Sequence, residues 1–185
     1  MKNLTSITKP SEAVPIRTDK TELLHLLMDD YGEEIKRLVY AYTKNWTHSE
    51  DLTQDIFLCV YKNLDTFQQQ SSIKTWIYRI AINKCKDFLR SWHYKKTIIS
   101  DIILPSEKEN SPETVYLHSE RKEAVSQLIL QLPVKYREVI VLYYFRDLTL
   151  EEMTELLGAN VNTLKSRLQR AKKRLAFKLQ YKGEM

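Results

Sequence analysis

From Lys165 to Lys182 the chain carries eight Lys/Arg and no acid, while Leu164, Leu168, Ala171, Leu175 and Leu179 recur every three or four residues. Residues so spaced share one face of a helix, so the leucine stripe packs and the cations are left on the other faces. Arginine forks match guanine O6 and N7, lysine meets phosphate, and the amides of a helix N-terminus hold an anion. Together these groups can hold and read duplex DNA. Much of the charge from Lys172 onward is accounted for by a solvated face that follows the phosphate backbone.

The segment that must position this helix lies just before it. Thr149 and Glu152 have the spacing of a capping box, and Gly158 supplies the left-handed residue that ends a short helix. A second helix then starts near Asn160 or Val161. The pattern predicts a helix-turn-helix.

Three glycines in 185 residues, with abundant Leu, Lys, Glu, Ile and Gln, argue for an all-α chain of one or two small domains. The formal charge of +5 is unevenly spread. Asp19 to Asp65 holds ten acids against five bases, whereas Ser72 to Lys96 holds seven bases and the single acid Asp87. Surfaces of opposite sign predict two different partners. Cys59 and Cys85 sit in apolar-periodic segments without a CxxC pair, and read as buried thiols. The four histidines are scattered without HExxH or paired Cys/His spacing, so no metal site and no cofactor are expected. No apolar run has membrane-span length, and residues 1–20, with Pro10 and Pro15 but no apolar core, read as a tail and not a signal peptide.

Helical periodicity predicts one long or broken helix over Thr21 to Asn45. A second is predicted with Thr47 and Glu50 as its capping box and Leu52, Ile56, Cys59, Val60 and Leu64 as its buried stripe, and a third over Ile73 to Trp92 with Trp76 in the core. Ile98 to Leu104 reads as a short apolar patch and Pro105 to Glu113 as linker. Helices over Ser119 to Leu132, stopped by Pro133, and over Val134 to Phe145 precede the helix-turn-helix.

Two blocks carry a resemblance. The first is Ser49-Glu50-Asp51-Leu52-Thr53-Gln54-Asp55-Ile56-Phe57, then Leu64-Asp65-Thr66-Phe67 and Lys74-Thr75-Trp76-Ile77-Tyr78-Arg79-Ile80-Ala81-Ile82-Asn83. The second runs from Leu132-Pro133 through Tyr136-Arg137 to Thr163-Leu164-Lys165-Ser166-Arg167-Leu168-Gln169-Arg170-Ala171. In order and spacing the chain resembles the extracytoplasmic-function sigma factors, bacterial transcription initiation factors, over roughly Thr21 to Leu179. The resemblance implies two small helical domains joined by a flexible linker: a tail at 1–20, a region 2 domain at 21–96, a linker at 97–118 and a region 4 domain at 119–185.

It further implies that the chain binds core RNA polymerase through Asp51, Leu52, Gln54 and Asp55, and that Asn83, Lys84, Lys86 and Arg90 hold and help open the −10 element. Thr163, Lys165, Ser166, Arg167 and Arg170 would face the −35 element of promoter DNA. Such a protein is no enzyme and works in the bacterial cytoplasm, commonly restrained by an anti-sigma factor that is often membrane-anchored. The side chains fit these roles. Asp51, Gln54 and Asp55 fall opposite Leu52, Ile56 and Cys59 on a helix, which leaves an acidic ridge for a basic partner. Asn162, Gln169 and Thr154 depart from common family residues, so no relative's promoter sequence transfers. The alternatives are a conventional helix-turn-helix regulator with an N-terminal dimerisation or sensory module, and a recombinase or nuclease with a divalent metal at Asp51, Asp55 and Asp65.

Overall fold

A computed structural model describes residues 19–99 and 120–183. Among them are seven α-helices and no strand: α1 (Lys20–Thr43), α2 (Trp46–Asn63), α3 (Ile73–Ile99), α4 (Glu120–Leu130), α5 (Val134–Phe145), α6 (Leu150–Leu157) and α7 (Val161–Gly183), with a 3₁₀ turn at Leu64–Thr66 after α2. Of the predicted tail and linker, residues 1–18 and 100–118 fall outside the described residues, whereas Lys20 already begins α1 and residues 97–99 still belong to α3. No helix among the described residues is long and apolar enough to cross a membrane.

The first 24-residue segment forms one helix, not a broken pair. It ends at Lys44, in the left-handed region at φ 58°, whose N–H donates to Tyr40 O at 2.9 Å. The cap of α2 differs from the sequence expectation. Asn45, not Thr47, accepts the His48 N–H through Oδ1 at 2.8 Å, and Thr47 lies inside the first turn. Asn caps at least as well as Thr, and two contacts fix the earlier start: Trp46 stacks on Tyr40 at 4.3 Å, and the buried Ser49 Oγ lies 2.7 Å from Thr43 Oγ1. α3 starts where Ser72 Oγ accepts the Thr75 N–H and continues past the predicted Trp92 to Ile99.

In the first domain Ile35, Leu38 and Val39 of α1, Ile56 and Val60 of α2, and Ile77, Ala81 and Ile82 of α3 are completely buried. Burying each of the Ile, Leu and Val side chains among them contributes about 1.5–3 kcal/mol. Cys85 joins this core and burial pushes its thiol up to about 12, whereas Cys59 is half-buried; both are free thiols. Leu142, Met153 and Leu164 centre the second domain.

α5 is unusual in burying seven consecutive residues, Tyr136 to Leu142. A helix in contact on one face buries three or four in two turns. α5 is covered from several sides: α4, α6 and α7 pack on it from its own domain and α1 from the other, and α3 meets α6 beside them. The buried side chains of both domains therefore form one continuous cluster.

Candidate nucleic-acid and protein interfaces

α2 presents Asp51, Gln54 and Asp55 to solvent above the buried Leu52 and Ile56. Leu52 was expected in the contact set, but at 8% exposure it supports the ridge from below. The sequence reading did not single out Leu58. It lies three residues after Asp55, four after Gln54 and seven after Asp51, and is 55% exposed, so an apolar anchor extends the acidic ridge. Extending the helical spacing by one turn finds it. Asp65, one of the three conceivable metal ligands, is ion-paired with Lys20 instead. Among the described residues no group of three or more His, Cys, Asp or Glu is placed to hold a metal ion.

On α3, Asn83 and Arg90 are exposed, and Arg90 is ion-paired with Asp87 at 3.1 Å. Lys84 and Lys86 are half-buried. Lys86 Nζ points to the Leu157 carbonyl of α6 at 3.5 Å, and Arg79 pairs with Glu155 of α6 at 3.1 Å. Trp76 packs against the core with Phe67 tilted onto it at 5.1 Å, in line with its expected packing role.

The helix-turn-helix forms as the sequence predicts. Thr149 Oγ1 accepts the Glu152 N–H at 3.2 Å and Glu152 Oε2 accepts the Thr149 N–H at 2.8 Å, so both halves of the capping box are made. Gly158 ends α6 at φ 65°, a conformation that a side chain would strain. Asn160 Oδ1 then accepts the Thr163 N–H at 2.8 Å and opens α7. The expected stripe holds at Leu164, Leu168 and Ala171, which are buried, and thins at Leu175. It ends at Leu179, which is 44% exposed because α7 has run beyond the helices that cover it.

The candidate reading residues of α7 are not equally free. Lys165 is exposed, and Thr163 and Ser166 are half-buried, with Ser166 Oγ donating to Thr163 O at 2.9 Å. Arg170 is exposed yet hydrogen-bonds the Tyr136 hydroxyl, holding that phenol below its ordinary pKa, and Arg174 lies over the Tyr136 ring at 5.1 Å. Arg167 is drawn inward, with Nη1 3.4 Å from Glu138 Oε1. Glu138 is almost fully buried on α5, and its other oxygen, Oε2, accepts the Tyr42 hydroxyl of α1 at 3.0 Å. An acid in the middle of the apolar run of α5 is the one sequence signal for this link. Its partner, 96 residues away, has none.

Residues 27–93 match the family model for sigma-70 region 2, and residues 122–175 that for sigma-70 region 4. The chain is 32% identical over 157 residues to the RNA polymerase sigma factor SigV of Bacillus subtilis, covering 85% of this chain and 91% of SigV. The chain belongs to the extracytoplasmic-function sigma factors. A second relative, the sigma factor SigW of the same organism, is 33% identical over 168 residues, with 83% of this chain and 87% of SigW covered. The fold of this sigma factor also matches RpoE of Bartonella quintana, solved with the anti-sigma factor NepR, at a TM-score of 0.67 and 20% identity over 86% of this chain and 96% of RpoE. As a sigma factor it directs promoter-specific initiation by RNA polymerase.

Proposed function

We propose a division of labour within this sigma factor. Residues 21–96 dock on core RNA polymerase through Asp51, Gln54 and Asp55, with Leu58 as apolar anchor and Leu52 fixing the helix beneath them. The same domain holds the −10 element through Asn83, Lys84, Lys86 and Arg90. Residues 119–185 read the −35 element through Thr163, Lys165, Ser166, Arg167 and Arg170, and residues 97–118 link the two. The observation that carries this reading is the segregation of charge onto separate helices: an exposed acidic ridge on α2, and basic side chains on α3 and on an α7 capped by Asn160.

Opening a duplex without ATP requires capture of the unpaired bases, and Asn83 stands exposed on a cationic helix where a flipped base can be held. Bond formation belongs to the polymerase, and this chain supplies position. Its place of work is the bacterial cytoplasm. RpoE, the structural relative, is complexed with an anti-sigma factor, and the same class of regulator, in some cases membrane-anchored, fits this chain.

Runoff transcription with core polymerase on a genomic fragment library tests the reading and yields the promoter sequence. Transcripts that depend on this chain are expected. Tight binding to a palindromic site without polymerase would point to a conventional regulator. On a promoter so found, Asn83→Ala should slow opening of duplex template and be largely rescued on a pre-melted bubble, because unpairing costs a few kcal/mol that captured bases offset. Equal defects on both templates would remove Asn83 from the base pocket.

A further inference from the structure

The cations of α7 that face α5 lie in one row, and oxygen atoms meet most of them. Arg167 faces the Glu138 carboxylate, Arg170 hydrogen-bonds the Tyr136 hydroxyl, and Lys178 donates to Gln131 Oε1 at 2.9 Å. Arg174 is held differently. Its guanidinium lies 5.1 Å from the centre of the Tyr136 ring. A second cation, Lys135 at the start of α5, lies 5.3 Å from the centre of the same ring. Both are exposed, and among the described residues neither takes part in a salt bridge. One ring thus gathers cations from two helices and leaves them without a counter-charge.

The manner of holding matters. A ring face attracts a cation through its quadrupole and takes none of its N–H donors, so the guanidinium and the ammonium keep theirs for a ligand. The ring is itself fixed, because Tyr136 is buried and belongs to the domain core. Its cations are therefore in place before any ligand arrives. The field around the ring favours negative charge. The hydrogen bond from Arg170, and after it the charges of Lys135 and Arg174, keep the Tyr136 phenol below its ordinary pKa against the opposing effect of burial. Like charges gathered at one ring also repel each other until an anion lies between them.

We propose that Lys135 and Arg174, placed by the Tyr136 ring, clamp a phosphate of the DNA backbone at the edge of the −35 element. The clamp rests on the −35 reading by α7 proposed above. Arg174 follows Arg170 by one helical turn, so a duplex whose base edges meet the start of α7 carries its backbone past the ring. When Arg170 turns to the DNA, the Tyr136 hydroxyl loses that donor and can give its own proton to the same phosphate. Lys135 lies outside the helix-turn-helix, so the clamp ties α5 to the duplex as well. Such a contact carries no sequence preference but fixes the register in which α7 meets the bases.

The test is binding of holoenzyme to a promoter found by runoff transcription, with single backbone phosphates around the −35 element replaced in turn by uncharged methylphosphonate. The wild-type holoenzyme should lose about three- to tenfold in affinity at one position or at two adjacent ones. Lys135→Ala and Arg174→Ala should each bind the unmodified duplex more weakly, with a shallower salt dependence and unchanged base preference. Neither should respond any longer to methylphosphonate at that position. Tyr136→Leu, with both cations present, should lose the same response, and Tyr136→Phe, which keeps the ring, should retain most of it. Cation variants that lose responses at separate positions, or keep the wild-type response, overturn the clamp, and so does a Tyr136→Leu protein that responds in full. Should Tyr136→Leu lose its helical circular dichroism, the two exposed cation variants and Tyr136→Phe still decide. A wild-type holoenzyme that responds to −35 base changes but to no methylphosphonate overturns the clamp and leaves the −35 reading standing, whereas indifference to the base changes as well overturns both.

Discussion

The acidic ridge on α2 and the basic face of α7, proposed above to meet polymerase and promoter DNA, are both charged surfaces, but they are kept differently. Asp51, Gln54 and Asp55 stand in solvent with no partner among the described residues. Arg167 and Arg170 are engaged by Glu138 and Tyr136 of α5. A surface kept open costs nothing to use, whereas one already paired must lose its internal contacts before it gains new ones. On the proposed roles, the ridge is ready for its partner as it stands, while Arg167 and Arg170 must exchange internal contacts for contacts to DNA.

The largest expected effect breaks one side of the comparison alone. Asp55→Arg reverses a charge on the open ridge, and like charges brought together at an interface cost several kcal/mol, so core binding should fall by at least about thirtyfold (~2 kcal/mol). The helical circular dichroism of the free chain should not change, because Asp55 is exposed and takes part in none of the contacts between the domains. Unchanged polymerase binding would remove the ridge from the docking site.

Next in size is Arg167→Ala, which sharpens the other side. If Arg167 reads a base once released, the holoenzyme should lose about 1–3 kcal/mol at one −35 position with relaxed preference there. Binding across single-base promoter variants at several salt concentrations checks it. Uniform weakening with a changed salt slope would make Arg167 a phosphate contact. Lys178→Ala should do less still. Lys178 donates to Gln131 Oε1 at 2.9 Å, so part of its role is to hold α7 against α4, and a small, sequence-independent loss is expected. A base-specific loss on Lys178→Ala would move the reading surface further along α7.

How far the sequence discloses this molecule depends on the range of each interaction. The capping box at Thr149 and the stop at Gly158 are local and legible within four residues. The core stripes of α1, α2 and α3 follow from helical spacing alone. The start of α2 does not, because Asn45 and Thr47 are both competent caps and only the stacking of Trp46 on Tyr40 and the burial of Ser49 decide between them. Leu179 misled for a related reason: periodicity shows which residues share a face but not where the covering helices end. The candidate site residues on α2 were legible as a ridge, and Leu58 is the same ridge one turn on. The tethering of Arg167 was out of reach, since it depends on Tyr42 meeting Glu138 across 96 residues.

The smallest predicted effect titrates the contact of Glu138 with Tyr42 and Arg167. Burial raises the pKa of the Glu138 carboxyl against the opposing pull of Tyr42, Lys86 and Arg167. When the domains part, Glu138 meets water and its pKa falls toward the ordinary carboxylate value of about 4.3. The packed state therefore binds the proton more tightly than the open one, so this contribution to packing is full below the ordinary value and is lost as pH rises through the raised one. Tyr42, facing it from α1, is pushed well above its ordinary range by burial and by the carboxylate, and keeps its proton throughout. The other facing groups, Lys86 on α3 and Arg167 on α7, are basic. The packed population of the free chain should grow modestly as pH is lowered from neutral toward 5, read by resonance energy transfer between fluorophores at the exposed positions Leu26 of α1 and Phe177 of α7. Glu138→Gln, which still accepts from Tyr42 but has no proton to exchange, should flatten that response and leave the free chain mostly packed at neutral pH. An identical pH profile in the two proteins would place the titrating group elsewhere, and a Glu138→Gln chain that opens would show that the contact between the domains depends on the charge facing Arg167 more than on the hydrogen bond from Tyr42.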